Sequence, residues 1–309
     1  MTKFFTPSRR DFLAWAGSGA ALLLSGCGGT SVVDRLKPRR FLIVGDGFCD
    51  QGQTGSLPTV NDDTPTWLKQ MADYYGNVEP LKPANQGGTA WAQAFALIAS
   101  LDTVSGTSAP SVQTQIDRML AATQIANDDL VFINGGMADI VQAVAQTGIS
   151  AATTKAVEAA ASALAAQVRR LTKNGGTHVA VTGVYDISIS PWAAGTGLKI
   201  KDISDLTVAF NGQLKYDIND LGKNVLFLDA ALFYNLVHKS PEGYGLKNVA
   251  TPACTTPTAL TCTTSTVVDS AGYNTYMFAD ALHFTPAVQL MFSQSNYGTN
   301  GYAALIDRW

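Results

Sequence analysis

The chain has few of the residues that bind metals or build disulfide frameworks. Its 309 residues include three histidines and four cysteines, and their scattered positions do not match the ligand spacing of a zinc site. Nucleotide-binding loops are missing as well, because Gly45-Asp46-Gly47 is not followed by a third glycine at the distance that a dinucleotide fingerprint requires. The sequence therefore predicts neither a metal nor a cofactor.

Basic charge is also scarce. Lys and Arg number 21 against 24 Asp and Glu, which gives a net charge of −3 and an isoelectric point near 5.6. No long run of Lys or Arg is available to neutralise a phosphate backbone, so nucleic acid is excluded as a partner. Apolar residues are plentiful at 46%, against 15% charged, which suits one large globular domain or two small ones.

The first 27 residues indicate export. Ser8-Arg9-Arg10-Asp11-Phe12-Leu13 reads as a twin-arginine motif, and the apolar stretch from Phe12 to Leu24 is shorter than the roughly 20 residues that span a bilayer. It leads into Leu24-Ser25-Gly26-Cys27, which resembles a bacterial lipobox. This resemblance implies a lipoprotein of the bacterial cell envelope that faces the periplasm and is anchored in the membrane through a lipidated Cys27. An uncleaved anchor or a plain secretory signal is the alternative.

Two further cysteines enclose a short loop. Cys254 and Cys262 flank Thr255 to Thr261 and could form a disulfide, which an oxidising envelope permits. Closing so short a loop stabilises the fold by roughly 2–3 kcal/mol in the loop-entropy model. Cys49 is then left over, and a lone cysteine after a strand is usually a small buried apolar residue.

Apolar runs and helical patterns alternate along most of the chain. Residues 28–40 show no apolar periodicity and predict a tether before a domain over 41–309. Short connections between alternating strands and helices predict a parallel sheet covered on both faces, which is a three-layer α/β/α sandwich. Strands are predicted at 41–46, 130–133, 178–182 and 225–228, and helices at 64–75, 111–122, 152–173, 203–221 and from Pro286 onward.

The stretch from Gly45 to Gly52 follows the first predicted strand. It is rich in glycine and aspartate and lies where open α/β folds place ligands and catalytic groups, at the carboxyl edge of the sheet. No residue from Gly45 to Gly52 carries a hydroxyl. The stretch is therefore placed like an active site but lacks an obvious nucleophile.

Several separate stretches, taken in order, resemble the GDSL family of the SGNH hydrolase superfamily. The segment from Tyr244 to Cys254 is also similar to one in the autotransporter-esterase and lipase-like branch. The resemblance implies a flavodoxin-like fold and ester hydrolysis by an activated serine with oxyanion donors. The four stretches are Gly45-Asp46-Gly47-Phe48-Cys49-Asp50, Asn85 to Thr89, Gly136-Met137-Ala138-Asp139 and Asp280-Ala281-Leu282-His283.

The resemblance assigns a role to each matched position. Asp280 and His283 correspond to the catalytic aspartate and histidine, and Gly88, with Gly87 as the alternative, corresponds to a backbone oxyanion donor. Gly47 stands where the family has its nucleophilic serine, itself an oxyanion position, and Ala138 stands where it has an asparagine donor. Loss of the nucleophile costs on the order of 10⁶-fold in turnover. The resemblance therefore implies an esterase-like domain that has lost serine-based catalysis and binds an acyl, ester or glycan ligand in the residual cleft.

Other interpretations remain open at the level of sequence. Cys49 could replace the serine as a thiol nucleophile, or Ser56 or Thr54 could fold back from the following loop. Asp280 and His283 could instead activate a water molecule, which would make the protein an active carboxylic-ester hydrolase. The third function class is an envelope scaffolding protein with a vestigial cleft.

Overall fold

A four-stranded parallel sheet forms the centre of the domain. The computed structural model describes residues 35–102, 105–294 and 301–309. The strands lie side by side in chain order, with helices in the connections, and the prediction of a three-layer α/β/α fold is confirmed. They are β1 (Arg40–Val44), β2 (Asp129–Asn134), β3 (Val179–Thr182) and β4 (Val225–Leu228).

Helices follow each of these strands along the chain. Three of them, α3, α5 and α7, were not predicted from the sequence. The helices are α1 (Trp67–Tyr75), α2 (Val112–Ala122), α3 (Met137–Thr147), α4 (Ala151–Lys173), α5 (Pro191–Gly195), α6 (Ile200–Ile218), α7 (Ala230–Lys239), α8 (Pro286–Gln294) and α9 (Gly301–Arg308).

Hydroxyl side chains set the starts of the predicted helices. Ser111 accepts a hydrogen bond from the Thr114 amide before α2, and Ser150 does the same for Thr153 before α4. Both satisfy an amide that the first helical turn leaves without a partner. Pro286 begins α8, where a residue without an N–H is well tolerated, so the loop before it ends sharply.

The sheet is buried on both faces, which explains its uninterrupted apolar strands. Aromatic rings pack at the end of β1, where Trp67 of α1 lies 5.2 Å from Phe48 and 5.1 Å from Phe292, measured between ring centroids. The Trp67 indole also donates to the Phe48 carbonyl at 2.6 Å. This aromatic cluster packs against the turn that follows β1.

The domain begins earlier than the sequence indicates. The Leu36 amide donates to the Trp309 carbonyl at 2.9 Å, and Pro38 is buried. The end of the predicted 28–40 tether therefore belongs to the domain, because it is held by the carboxyl terminus. The predicted signal segment and Cys27 lie outside the described residues. Within the described ranges, no helix combines the length and apolar character needed to cross a membrane.

A small second sheet follows α7 along the chain. It contains a two-stranded parallel pair, β5 (Asn248–Pro252) and β6 (Tyr276–Phe278). The intervening loop is closed by a disulfide between Cys254 and Cys262, whose Cα atoms are 5.8 Å apart. The side chain of Asn61 donates to the Cys262 carbonyl at 3.0 Å and thereby ties this loop to the segment after β1.

Candidate active site

The turn after β1 is fixed by long-range side-chain hydrogen bonds. Gly45 has a φ of +144°, and a Cβ atom there would lie 1.9 Å from the Asn134 side-chain oxygen, so only glycine fits. Gln115 of α2 holds the same residue from the other side. Its oxygen accepts from the Gly45 amide at 2.7 Å, and its nitrogen donates to the Gly45 carbonyl at 2.9 Å. The conformation of the turn is therefore determined by α2 and β2.

Asp46 and Asn134 join the ends of β1 and β2. The Asn134 amide donates to the Asp46 carboxylate, and the Asp46 backbone amide donates to the Asn134 oxygen at 3.2 Å. The carboxylate also accepts from the Phe48 amide at 3.0 Å. Burial raises the pKa of Asp46 despite these hydrogen bonds. This pair presents Gly47 at the carboxyl edge of the sheet.

Asp280 and His283 form a tight pair on the loop after β6. The two carboxylate oxygens lie 3.0 and 2.9 Å from Nδ1 of His283, and because a carboxylate only accepts, Nδ1 carries the proton. Backbone amides of Leu282 and Ala259 also donate to Asp280, at 2.9 and 2.8 Å. Burial opposes ionisation of Asp280, but the His283 charge and these hydrogen bonds hold its pKa at about 2. The segment from Asp280 to His283 therefore holds the carboxylate in several hydrogen bonds and fixes the orientation of the imidazole.

The electrostatic surroundings of His283 favour its charged form. Burial alone lowers the pKa of His283, but the charge of Asp280, followed by those of Asp46 and Asp50, outweighs burial and raises the pKa above its ordinary value. Asp50 is itself buried and accepts from the amides of Gly52, Gln53 and Ala94. Burial raises the pKa of Asp50 to about 6.

The imidazole lies directly against Gly47. A Cβ atom built on Gly47 would be 2.5 Å from Nε2 and 2.8 Å from Cδ2 of His283, closer than non-bonded atoms approach. The Phe95 ring stands perpendicular to the imidazole at 5.3 Å on another side. Nε2 is buried and has no hydrogen-bond partner among the described residues. The imidazole of the predicted Asp280 and His283 pair thus lies at Gly47, and its ring occupies the space that a side chain at position 47 would need.

A small cavity opens beside this contact. Its volume is about 30 Å³, enough for roughly two water molecules. Its wall is mostly apolar, with polar groups at its base. The apolar side chains are Phe48, Pro58, Met137, Val184, Leu282 and Phe284, and the polar ones are Asp46, Asn134, Tyr185, His283 and Gln289.

The predicted backbone donors are used elsewhere. The Gly88 amide donates to the Pro83 carbonyl at 3.1 Å and the Gly87 amide donates to Ala84 at 3.0 Å, and neither glycine lines the cavity. Ala94 lies where the backbone oxyanion donor was expected, with its Cα 3.6 Å from the Cβ position of Gly47. Its amide already donates to Asp50 at 2.8 Å. Of the predicted donors, only the Gly47 amide has no acceptor among the described residues.

Ala138 does not reach the site. It is the second residue of α3, is half-buried, and is not part of the cavity wall. The neighbouring Asp139 accepts from the Ile98 amide at 3.2 Å, and burial, reinforced by the charge of Asp46, raises its pKa to about 7. An amide side chain from this region does line the cavity, but it belongs to Asn134, four residues earlier. The sequence signal for Asn134 was its position as the last residue of a buried strand.

The alternative nucleophiles are not at the cavity. Cys49 is fully buried and absent from the cavity wall. Burial, with the charges of Asp46 and Asp50, raises the pKa of its thiol well above the ordinary value, so the reactive thiolate is disfavoured. Ser56 and Thr54 do not line the cavity either. None of the three therefore lines the cavity beside His283.

The arrangement can bind a ligand and polarise a bond in it, but no serine, threonine or cysteine is found among the described residues that line the cavity. An aspartate and a histidine are oriented as a general base, and the base points at a glycine. Across the part of the chain that the structure describes, no group of three His, Cys, Asp or Glu side chains is placed to hold a metal ion. In comparisons with known proteins, no protein-family model and no curated protein matches the chain.

Proposed function

We propose that this protein is an exported lipoprotein with a GDSL-type hydrolase domain that has lost serine-based ester hydrolysis and retains a cleft for an acyl or ester ligand. The observation that carries the proposal is the contact between His283 and Gly47. Nε2 lies 2.5 Å from the position of a Gly47 Cβ, where a serine hydrolase needs a hydroxyl within hydrogen-bond reach of the base. The base is present and its nucleophile is absent.

The surroundings of Gly47 support the loss of the covalent mechanism. A tetrahedral intermediate needs several donors aimed at its oxygen. The Asn134 side chain donates to Asp46, and the Ala94 amide donates to Asp50. The Gly47 amide and the second N–H of Asn134 are left among these groups, so the attacking group is missing and the oxyanion stabilisation is reduced.

The cavity beside the contact supports the retention of a binding cleft. Its apolar wall suits the hydrocarbon part of an acyl group, and its base carries hydrogen-bonding side chains, as small-molecule sites generally do. The Asp280 and His283 pair keeps all of its positioning hydrogen bonds although no nucleophile uses it. An acyl or ester ligand is therefore favoured over a glycan, which needs more polar groups than this mostly apolar wall provides.

Water-mediated hydrolysis is the second candidate. It is favoured by one observation, the unpartnered Nε2 of His283 beside a cavity that can hold water. In this mechanism Nε2 would take a proton from water while the water oxygen attacks the ester carbonyl. The bond from the acyl carbon to the alkoxy oxygen would then break, and Nε2 would return the proton to the leaving alcohol. The burial of Nε2 against Gly47 opposes it, because a water molecule needs the imidazole to withdraw first. No specific contact favours the scaffolding hypothesis.

The test compares binding and restored chemistry in matched variants. Short uncharged acyl compounds are titrated into the protein, and release of p-nitrophenol from p-nitrophenyl acetate is measured for Gly47→Ser and Gly47→Ala. We expect saturable binding by the wild type, and hydrolysis by Gly47→Ser that exceeds that of Gly47→Ala, which adds the same Cβ without a hydroxyl. Absence of binding together with equal rates for the two variants would remove support for the proposal.

A further inference from the structure

The carboxylate of Asp280 is held from two separate parts of the chain. On its own loop, the backbone amides of Leu282 and His283 donate to Oδ1 at 2.9 and 2.7 Å. The second oxygen, Oδ2, accepts from the Ala259 amide at 2.8 Å. Within the described residues, Ala259 is the only hydrogen-bond donor to Asp280 from outside residues 280–283. Its amide therefore helps to fix the rotation of the carboxylate that faces Nδ1 of His283.

Ala259 lies inside the loop that the disulfide between Cys254 and Cys262 closes. It is fully buried and begins a short 3₁₀ turn. Cys262 follows this turn, and its amide donates to the Ala259 carbonyl at 3.0 Å. At the other end of the loop, the Cys254 amide donates at 2.9 Å to the carbonyl of Ala279, the residue before Asp280. The disulfide therefore joins the two ends of the segment that presents the Ala259 amide to Asp280.

The loop rests on a small apolar cluster that is separate from the main core. Its seven buried members are Val60, Ala253, Cys254, Ala259, Cys262, Tyr273 and Ala279. Three of them are alanines and two are the cysteines of the disulfide, so the cluster buries little apolar area. Cores of such limited size usually need a covalent cross-link. The disulfide therefore contributes more than apolar burial to holding the Ala259 amide in place.

Asn61 provides a second, non-covalent constraint on the loop. Its side-chain amide donates to the carbonyls of Ala259 and Cys262 at 3.3 and 3.0 Å, and its backbone amide donates to the Cys262 carbonyl at 3.0 Å. The same side-chain nitrogen also donates to the Leu57 and Thr59 carbonyls, each at 3.1 Å. Because its two hydrogens are shared among four acceptors, each of these bonds is weakened, and Asn61 is a poor substitute for the disulfide.

We propose that the loop closed by the disulfide is a positioning element for the Asp280 and His283 pair. The loop keeps the Ala259 amide on Oδ2 of Asp280, and the carboxylate in turn holds the imidazole through Nδ1. Ala259 does not line the cavity, so it is a positioning residue and not a binding or catalytic one. The inference goes beyond the proposed function, because the pair is held in this way whether or not the cleft binds an acyl ligand.

The test follows the proton on Nδ1 of His283 by NMR, as the rate at which this proton exchanges with water in the folded protein. The variant His283→Ala assigns the signal by removing it. We expect the double variant Cys254→Ser/Cys262→Ser to accelerate the exchange by about tenfold or more. The reason is that the carboxylate loses a charge-assisted hydrogen bond, so that its contact with Nδ1 opens more often. Thermal unfolding shows that each variant is folded at the temperature of the measurement.

Ala259→Pro tests the amide itself while the disulfide stays intact. Thr258 has an extended backbone with φ −135° and ψ 145°, which a following proline tolerates, and Ala259 is the first residue of its turn, where proline is accepted. This variant removes the N–H donor and should accelerate the exchange by the same factor. Ala259→Gly keeps the N–H and is the matched control, with the exchange rate of the wild type.

Val157→Ala controls for a general loss of stability. Val157 is fully buried in α4 and belongs neither to the cavity wall nor to the apolar cluster under the loop. Its truncation lowers the stability of the domain but should leave the exchange of the Nδ1 proton in the folded protein unchanged.

Each outcome decides the inference. Faster exchange in the double cysteine variant and in Ala259→Pro, but not in the two controls, supports it. The wild-type rate in Ala259→Pro overturns the role of the Ala259 amide, and the wild-type rate in the double cysteine variant overturns the role of the disulfide. Equal acceleration in Ala259→Gly or Val157→Ala overturns the positioning role, because the effect would then not depend on the donor.

Two features keep the test independent of other failures. If the double cysteine variant does not fold, the comparison of Ala259→Pro with Ala259→Gly decides the inference. No measurement in the test uses ligand binding or ester hydrolysis, so the proposed function stands or falls on its own experiment.

Discussion

The contact between Gly47 and His283 predicts a specific energetic coupling. Replacing Gly47 by alanine adds a Cβ atom 2.5 Å from Nε2 and 2.8 Å from Cδ2. The backbone of Gly47 does not have a positive φ, so the cost comes from the contact and not from backbone strain. Ordinary contact between these atoms requires the imidazole to withdraw by about 1 Å.

Two neighbours resist this withdrawal. The ring is held at Nδ1 by Asp280 at 2.9 Å, and the edge-on contact with Phe95 closes another side. Added volume in a well-packed site usually costs about 1–3 kcal/mol. We therefore expect Gly47→Ala to lower the free energy of unfolding by about that amount.

A double-mutant cycle isolates the free-energy cost of the contact between position 47 and His283. In a His283→Ala background the overlap is gone, and Gly47→Ala should cost close to nothing, which gives a coupling energy of about 1–3 kcal/mol. Unfolding by urea measures all four proteins. Gly212→Ala is the matched control, because its Cβ meets open space in the exposed part of α6, and it should stabilise both backgrounds alike by about 0.5–1 kcal/mol.

The cycle would contradict the geometry in either of two ways. Gly47→Ala could leave the stability of the wild type unchanged, which would mean that the imidazole does not occupy this space. Alternatively, Gly47→Ala could cost the same in both backgrounds. The cost would then arise from groups other than His283.

Three further predictions concern neighbouring residues. Burial raises the pKa of Asp139 to about 7, from an ordinary value of 3.8. The contribution of Asp139 to stability is therefore present below pH 3.8 and is lost as the pH rises through 7. Asp139→Asn should abolish this loss of up to about 4 kcal/mol, which would appear as a flatter dependence of urea stability on pH. Ala138→Asn should add nothing to the ester hydrolysis of Gly47→Ser, because position 138 is outside the cavity, and a further gain would show that α3 is placed differently. Replacing both Cys254 and Cys262 by serine should cost about 2–3 kcal/mol in thermal unfolding, and unchanged stability would mean that the disulfide does not constrain the loop.

Much of the fold could be predicted from local sequence. Strands buried on both faces must be apolar throughout, and this made β1 to β4 visible as short apolar runs. Ser111 and Ser150 marked helix starts through hydrogen bonds to amides three residues later. The pair of Asp280 and His283 was expected from the resemblance of Asp280-Ala281-Leu282-His283 to the last block of the GDSL family, and its two members meet within one loop.

The parts that were missed depend on contacts between distant segments. Gly88 was expected to offer its amide to the site, but that amide bonds to the Pro83 carbonyl within a local turn. Ala94 lies beside Gly47 because the Asp50 carboxylate, 44 residues earlier, accepts its amide. Gln289 had no sequence motif at all, and its place in the cavity wall depends on the packing of α8 against α1, where Phe292 contacts Trp67.

The most direct measurement of the loss of hydrolysis is the rate at which the wild type and His283→Ala release p-nitrophenol from p-nitrophenyl acetate near neutral pH. Because Nε2 faces Gly47 and is buried, the two proteins should release it at the same rate, equal to that of buffer with a non-enzymatic protein at the same concentration. Catalytic turnover by the wild type that disappears in His283→Ala would contradict the loss of hydrolysis and establish water activation by the Asp280 and His283 pair.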